Sequence, residues 1–121
     1  MVHIEGVEIK RPMNNTNTTT IQQLTNGQGI NALAALTGAQ IVYDDNNNAI
    51  TLVFKKQAGK RGAKLTHLKI AYNVGTDLYD VTAYKLNKKT FEMPVIKELE
   101  GCYGDMLNEV CEGITDLCLR F

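Results

Sequence analysis

The sequence predicts an α+β fold, in which helices cover one face of an antiparallel sheet of four to five strands arranged as a meander. The middle of the chain alternates apolar and polar residues at period two, and the short turns between these segments make neighbouring strands antiparallel. The end of the chain repeats apolar residues at helical spacing. With 44% hydrophobic and 21% charged residues, the 121-residue chain has a globular composition. We therefore expect a single domain over residues 1–121, with an N-terminal helical segment and a C-terminal amphipathic helix on the sheet.

Residues 1–20 are expected to form an extended arm or edge hairpin, followed by a polar linker. Apolar and polar residues alternate over residues 2–9, which favours a short edge strand or a small hairpin. The linker is rich in asparagine and threonine. Its threonines offer a helix N-cap, which we place near Thr18 or Thr19.

Two short helices are expected next. Ile21 and Leu24 lie in the first helix, which breaks at the Asn-Gly-Gln-Gly sequence of residues 26–29. The alanines and leucines of residues 30–36 favour a second helix. Gly38 suits the left-handed conformation that commonly ends a helix.

The first clear strands form a hairpin. Residues 41–43 and 50–54 are strand-like, and the turn between them is rich in aspartate and asparagine, whose side chains hydrogen-bond nearby backbone. The turn resembles the start of a calcium loop. However, Ala49 and Lys55 stand where such a loop needs glycine and glutamate, so we favour a plain hairpin turn.

Three further strands follow from the same alternation. A turn at residues 73–77 separates the first two, and the third must be an edge strand or bulged because Pro94 has no N–H for a ladder bond. The apolar positions of these strands are Leu68, Ile70, Tyr72, Tyr79, Val81, Ala83, Phe91, Met93 and Val95.

A basic loop over residues 55–64 is one candidate binding site. Its glycines let the backbone approach a phosphate, and its cations would neutralise several phosphates. Tyr72, Tyr79 and Tyr84 could add stacking platforms for single-stranded nucleic acid. The plainer interpretation is that the lysines keep a loop soluble and the tyrosines complete a half-buried sheet. The candidate nucleic-acid-binding residues are Lys55, Lys56, Lys60, Arg61 and Lys64.

The last helix is expected to begin after Gly101 and to be amphipathic. Its apolar stripe should pack on the sheet and include two cysteines as buried thiols. The opposite face is acidic, and it is either solvated or docked to a basic partner. The stripe consists of Leu107, Val110, Cys111, Ile114, Leu117 and Cys118. The candidate partner-binding residues are Asp105, Glu109, Glu112 and Asp116.

The residue types argue against catalysis. The chain has no serine, which excludes a Ser-His-Asp arrangement. Its histidines, His3 and His67, have no partner at zinc-ligand spacing. Three cysteines without a signal peptide indicate free thiols in a reducing compartment. We therefore expect a cytoplasmic protein without enzyme activity, cofactor or metal.

The overall charge and the hydropathy of the chain do not indicate a particular class of partner. Thirteen basic residues balance thirteen acidic ones, so no net charge attracts the chain to nucleic acid or to a membrane surface. No apolar run approaches the length that a membrane-spanning helix needs, and no membrane partner is expected.

Three motifs carry a resemblance to a known family. They are Leu-Thr-Gly-Ala at residues 36–39, Asp-Leu-Tyr-Asp-Val at residues 77–81 and Glu-Gly-Cys-Tyr-Gly-Asp-Met-Leu at residues 100–107. In this order they resemble small uncharacterised proteins of bacteriophages and integrative conjugative elements, over about residues 30–121. Many relatives have Thr-Gly-Leu where this chain has Thr-Asp-Leu at residues 115–117. The family implies a genomic setting but no reaction, so it assigns a role to no residue.

Two functions remain as hypotheses. The first is a non-enzymatic accessory protein of a phage or mobile element, in the cytoplasm of a bacterial host, that binds a host or element protein. Interference with a defence system is its most concrete version. The alternative is a single-stranded nucleic-acid-binding module that uses the basic loop. Homo-oligomer formation is left open.

Overall fold

The computed structural model describes residues 2–4, 7–9, 14–58, 65–87 and 89–115. Within them, helices and strands occur in separate runs along the chain, as in an α+β domain. The strands are β1 (Val2–Ile4), β2 (Val7–Ile9), β3 (Ala39–Asp44), β4 (Ala49–Ala58), β5 (Leu65–Asn73), β6 (Leu78–Tyr84) and β7 (Val95–Cys102). The helices are α1 (Asn15–Thr25), α2 (Ile30–Thr37) and α3 (Leu107–Thr115), and a 3₁₀ turn (Gly104–Met106) precedes α3.

The described strands form one sheet in which spatial order equals chain order. Strands β3 to β7 pair antiparallel in succession, which confirms the predicted five-stranded meander. The first residues form the hairpin that the sequence offered as one alternative, with β1 antiparallel to β2. This hairpin joins the sheet through β2, which runs parallel to β3 and pairs Val7 with Ile41.

One face of the sheet carries the hydrophobic core. Register places Ile41, Leu52, Leu68 and Ala83 side by side across four strands, and each is buried. Both N-terminal helices and α3 cover this face. They contribute the buried side chains Ile21, Leu24, Leu33, Leu107 and Cys111. Because a large aliphatic side chain gains about 1.5–3 kcal/mol on full burial, this shared core holds helices and sheet together.

Helix α1 begins earlier than predicted, so the proposed cap at Thr18 or Thr19 is wrong. Asn14 is the N-cap, and its side-chain oxygen accepts a hydrogen bond from the backbone N–H of Asn17 at 2.7 Å. Thr18 and Thr19 already lie inside the helix. Their hydroxyls donate hydrogen bonds to the carbonyls four residues earlier, at 3.0 and 2.9 Å. A threonine hydroxyl can therefore be hydrogen-bonded inside a helix without ending it.

The predicted helix break and stop are confirmed. Asn26 and Gly27 leave α1 with φ values of 53° and 87°, in the left-handed region. Gly38 ends α2 with φ 67°, and its N–H donates to the Ala34 carbonyl at 2.9 Å. Glycine and asparagine tolerate this conformation at low cost, which explains why both helices stop here.

Strand β4 is longer than predicted. It continues to Ala58, so residues 55–58 are strand and the proposed basic loop does not begin at Lys55. Ala58 pairs with Leu65 after a register shift. A strand with such an irregularity loses its period-two alternation, so the sequence pattern predicted too short a strand. Residues 59–64 lie outside the described part of the chain.

The segment before β7 is also different from the prediction. Phe91 and Met93 are exposed loop residues, and the strand begins only at Val95. Phe91 has φ 60°, and its N–H donates to the carbonyl of Asn87 at 2.7 Å, which folds the segment into a turn. The edge position predicted from Pro94 is confirmed, because β7 is the last strand of the sheet.

Helix α3 starts at Leu107 rather than directly after Gly101. Residues 99–102 belong to β7, where Gly101 has φ 73° beside a register shift and donates its N–H to Asp80 Oδ1 at 3.0 Å. The predicted apolar stripe is confirmed where it is described. Leu107 and Cys111 are fully buried, and Val110 and Ile114 pack against the core. Leu117 and Cys118 lie outside the described residues.

Candidate functional site

A cleft of about 460 Å³ opens where three parts of the fold meet. One wall is a side of α1, the second is the end of the β5–β6 hairpin, and the third is the 3₁₀ turn before α3. We call it the tyrosine cleft. Its lining residues are Asn15, Thr16, Thr19, Gln23, Tyr72, Asp77, Tyr79, Tyr103, Gly104 and Asp105.

The α1 wall is polar because this side of the helix does not face the core. Asn15, Thr19 and Gln23 are spaced four residues apart, which places them along one side of a helix. The Thr19 hydroxyl donates to the Asn15 carbonyl at 2.9 Å. The opposite side of α1 carries the buried residues Ile21 and Leu24. Polar side chains are therefore presented to the cleft.

The hairpin wall is built on a cross-strand tyrosine pair. Register places Tyr72 opposite Tyr79, and the two rings have centroids 5.3 Å apart at an interplanar angle of 59°. This is a favourable tilted arrangement for two aromatic rings. Tyr79 is 4% exposed and Tyr72 is half-buried, so Tyr79 forms the floor and Tyr72 the side of the cleft.

The same wall holds a carboxylate in a fixed position. The Tyr72 hydroxyl donates a hydrogen bond to Asp77 Oδ1. Asp77 itself sits in the turn with φ 58°, and its N–H donates to the Asn73 carbonyl at 2.8 Å. The hydrogen bond to Asp77 raises the pKa of Tyr72, and desolvation and the Asp77 charge raise it further. The phenol therefore stays protonated beside an ionised acceptor.

The third wall lies close against the other two. Tyr103 is 63% exposed, and Asp105 follows it at the beginning of the 3₁₀ turn. A Cβ atom on Gly104 would approach Gln23 Cδ to 3.2 Å and Tyr79 Cε2 to 3.3 Å, which is tighter than most such contacts. Glycine therefore allows the turn to pack directly on α1 and the hairpin.

The cleft is acidic. Asp77 and Asp105 contribute two carboxylates, and none of the described residues that line it is lysine, arginine or histidine. Facing carboxylates without a cation create a local negative potential, although the whole chain has formal net charge +0. The geometry suits a positively charged group and disfavours an anion.

The structure connects part of the predicted acidic face to the cleft. Asp105 lines it, and Glu109 is exposed in the first turn of α3. Glu112 lies one turn further along and is half-buried. Asp116 lies outside the described residues. Partner binding by this acidic face stays a prediction, and the sequence analysis did not predict the aromatic cleft beside it.

The predicted basic surface receives no support from the geometry. Lys55 and Lys56 belong to β4, whereas Lys60, Arg61 and Lys64 lie outside the described residues. The tyrosines that were expected to assist these cations lie on different faces of the sheet. Tyr72 and Tyr79 share the covered face, but Tyr84 points to the opposite face, where it pairs with His67. Nucleic-acid binding by the basic run stays a prediction.

Cys102, Cys111 and His67 are not among the residues that line the cleft. Burial raises the pKa of the Cys111 thiol, and burial is also the main cause of the raised pKa of Cys102. His67 Nδ1 lies 2.8 Å from Thr66 Oγ1, and desolvation lowers its pKa. Among the described residues, no group of three His, Cys, Asp or Glu side chains is arranged to hold a metal ion.

Comparisons with known proteins were made at three levels. Protein-family models, curated proteins and solved structures gave no match. The described helices include none that is long and apolar enough to cross a membrane. The cleft must therefore be interpreted from its own chemistry.

Sequence reasoning missed the cleft because its walls come from distant parts of the chain. A signal was nevertheless present. The turn over residues 73–77 fixes the hairpin register, and that register puts Tyr72 opposite Tyr79. The missing information was the position of the 3₁₀ turn, since Tyr103 and Asp105 were assigned to a helix that begins too early.

Proposed function

We propose that this protein is a non-enzymatic accessory protein of a phage or mobile element, and that it acts by binding a partner protein. Interference with a host defence system is the most concrete version. The proposed binding surface consists of the tyrosine cleft, which includes Asp105, together with Glu109. We call it the docking surface. One observation carries the proposal: Asp105, one of the acids predicted to bind a partner, lines an aromatic cleft and lies in the 3₁₀ turn directly before α3, which bears Glu109.

The residue types of this surface are those of protein-binding hot spots. Tyrosine is enriched there because its rigid ring buries a large area while its hydroxyl makes a directed hydrogen bond. Tyr103 is largely exposed, and Tyr72 and Tyr79 form a recess beside it. An exposed aromatic side chain next to a preformed recess supports recognition of a protruding side chain of another protein.

Charge supports a basic partner surface. Asp77, Asp105 and Glu109 are exposed acids on or beside the cleft. Complementary charge accelerates the encounter of two proteins and disfavours like-charged competitors. The resemblance to proteins of phages and integrative conjugative elements supplies the setting in which such a partner would be a host or element protein.

The test compares charge-reversed variants in host cells. Tagged wild-type protein should retain a partner that the double variant Asp105→Lys, Glu109→Lys loses, with association at least about tenfold slower when the purified pair is measured. The matched control is Glu92→Lys, Glu98→Lys, which makes the same charge change away from the cleft and should bind normally.

A third variant tests the alternative hypothesis, in which the basic residues of the loop bind single-stranded nucleic acid. Lys56→Ala, Lys60→Ala, Arg61→Ala should leave partner affinity unchanged. Undiminished partner binding by the Asp105→Lys, Glu109→Lys variant would overturn the proposed surface. Salt-sensitive retention of single-stranded nucleic acid alone, lost in the triple variant, would favour the basic run instead.

A further inference from the structure

We infer that the tyrosine cleft receives a guanidinium group, supplied as an arginine side chain by the partner protein. This inference rests on the proposed function and names the chemistry that the docking surface recognises. It is carried by the volume of the cleft, its charge and the arrangement of its rings.

The volume is right for one side chain. At about 460 Å³ the cleft falls within the roughly 300–1,000 Å³ range of pockets that bind small organic groups. The cleft is open to solvent, so a side chain of another protein can enter it. A recess of this kind fits a single long side chain better than a whole strand or helix.

The charge selects a cation. Asp77 and Asp105 are two carboxylates without a lysine, arginine or histidine among the described lining residues. Asp77 accepts one hydrogen bond from Tyr72, but a carboxylate has about four acceptor positions and retains capacity for a donor pair. A neutral sugar would leave both charges uncompensated, and an anion would be repelled.

The rings select guanidinium over ammonium. The tilted pair of Tyr72 and Tyr79 presents aromatic surface at the floor, and Tyr103 stands exposed at the rim. A planar guanidinium stacks on such rings and can donate two parallel hydrogen bonds to a carboxylate. An ammonium is a compact and strongly hydrated charge, and it gains less from flat walls.

The walls are held in place before a ligand arrives. Gly104 packs the 3₁₀ turn against Gln23 and Tyr79, and the Asn108 side chain donates to the Leu24 carbonyl at 2.8 Å, which ties α3 to α1. The Tyr72–Asp77 hydrogen bond fixes the acidic wall. A preformed site loses little side-chain entropy on binding, so even one residue should bind measurably.

The experiment uses single blocked amino acids as probes. N-acetyl-arginine methylamide is titrated into the full-length protein, with the citrulline and lysine compounds of the same form as comparisons, and ring signals of the tyrosines are followed by NMR. We expect a dissociation constant on the order of 1 mM for the arginine compound. Citrulline, which keeps the shape but lacks the charge, should bind at least about tenfold more weakly, and lysine several-fold more weakly.

Variants locate the site. Asp105→Asn removes one charge from an exposed position and should weaken arginine binding about tenfold, and Asp77→Asn should do the same. Glu98→Gln removes an exposed charge from the opposite face of the sheet and should leave binding unchanged. Because Asp77 also supports the turn, Asp105 provides the independent check if Asp77→Asn disturbs folding.

The outcomes separate the inference from the proposed function. Equal binding of the citrulline or lysine compound, absence of arginine binding, or shifts confined to residues outside the cleft would each overturn the guanidinium assignment. Partner retention that depends on Asp105 and Glu109, without arginine binding, leaves the proposed function standing and rejects this inference. Arginine binding without any retained partner rejects the proposed function instead.

Discussion

At the scale of single residues, the chemistry of the cleft depends on the hydrogen bond between Tyr72 and Asp77. The bond raises the pKa of the Tyr72 phenol and holds the Asp77 side chain in one orientation, so the acidic wall is fixed in position. It does so at the edge of the molecule, where neither group is buried enough to exclude water. Its value therefore lies in orientation more than in stability.

The ionisation of Tyr72 tests this bond. Its pKa is raised from 10.0, so the bond contributes stability below pH 10, and that contribution is lost as the pH rises through the raised pKa. We expect one tyrosine to ionise later than the others in a tyrosinate absorbance titration. Asp77→Gly removes the acceptor and tolerates the φ of 58°, so it should return this tyrosine toward the ordinary pKa, whereas Glu98→Gln should not. An unchanged titration curve in Asp77→Gly would contradict the bond.

Cys111 gives a second test at this scale. The side chain is fully buried in the core, and burial raises the pKa of its thiol. We expect Cys111 to resist a thiol reagent in the folded protein and to react once the protein is denatured. Half-buried Cys102 should label faster in the native state. Mass spectrometry locates the label on each cysteine, and rapid native labelling of Cys111 would place it outside the core.

At the scale of elements, α1 is joined to the sheet through its first turn. Asn14 caps the helix with its side-chain oxygen and donates its own N–H to Asp45 Oδ1 at 3.2 Å. Its side-chain nitrogen donates to the Asp45 carbonyl and to Asn48 Oδ1, both at 3.1 Å. One asparagine therefore connects the start of α1 to the β3–β4 turn.

Replacing this cap should be measurable. Asn14→Ala removes the cap and the contacts to the turn, and we expect unfolding free energy to fall by about 1–2 kcal/mol, the upper part of the usual range for a cap. The matched control is Asn15→Ala, because Asn15 is exposed in the first turn of the same helix. Chemical denaturation measures both. An equal effect of the two substitutions would show that the cap is not the cause.

The junction between the 3₁₀ turn and α3 offers two neighbouring positions with opposite burial. Leu107 is fully buried, whereas Met106 is 48% exposed. Leu107→Ala should lower the unfolding free energy by about 2–5 kcal/mol, as core truncations do, and Met106→Ala should change it by less than about 1 kcal/mol. The loss of unfolding free energy caused by Ile114→Ala should lie between these two values, because Ile114 is half-buried. A loss below about half a kcal/mol at Leu107 would mean that α3 does not pack on the core.

Elements with a strong local pattern were predictable, and their ends were less so. The strand with Leu68 and Ile70 follows directly from alternation because one face of it is buried. The start of α1 was misplaced because its N-cap, Asn14, is held by Asp45 in a distant turn that a local pattern cannot include. The start of α3 was misplaced because Cys102 pairs with Tyr79 as the last residue of β7 and residues 104–106 form a 3₁₀ turn before the helix.

At the scale of the whole molecule, helices and sheet depend on a single core. Buried side chains of α1, α2, α3 and strands β3 to β6 belong to the same cluster, and the partly buried Ile96 and Cys102 of β7 pack against it, so these elements share one core. The arrangement explains why fold class was predictable from periodicity and composition. The cleft was not, because its walls are set by packing between elements and not by any one of them.

A shared core predicts cooperative unfolding. Tyrosine fluorescence reports on the cleft and far-UV circular dichroism on the backbone, and we expect the two to give the same midpoint in denaturant. The control is Met106→Ala, an exposed change that should keep the transitions together. Separate midpoints in the wild-type protein would show that the helices leave the sheet before it melts.

The order of the strands also determines when the docking surface can exist during synthesis. Each strand of the meander pairs with the one made just before it, so the sheet can grow as the chain leaves the ribosome. The cleft needs α1, the hairpin tyrosines and Tyr103 together, and these are separated by most of the chain. A nascent chain that ends before Tyr103 has a nearly complete sheet but no tyrosine cleft. The proposed partner recognition is thereby confined to molecules that have finished folding.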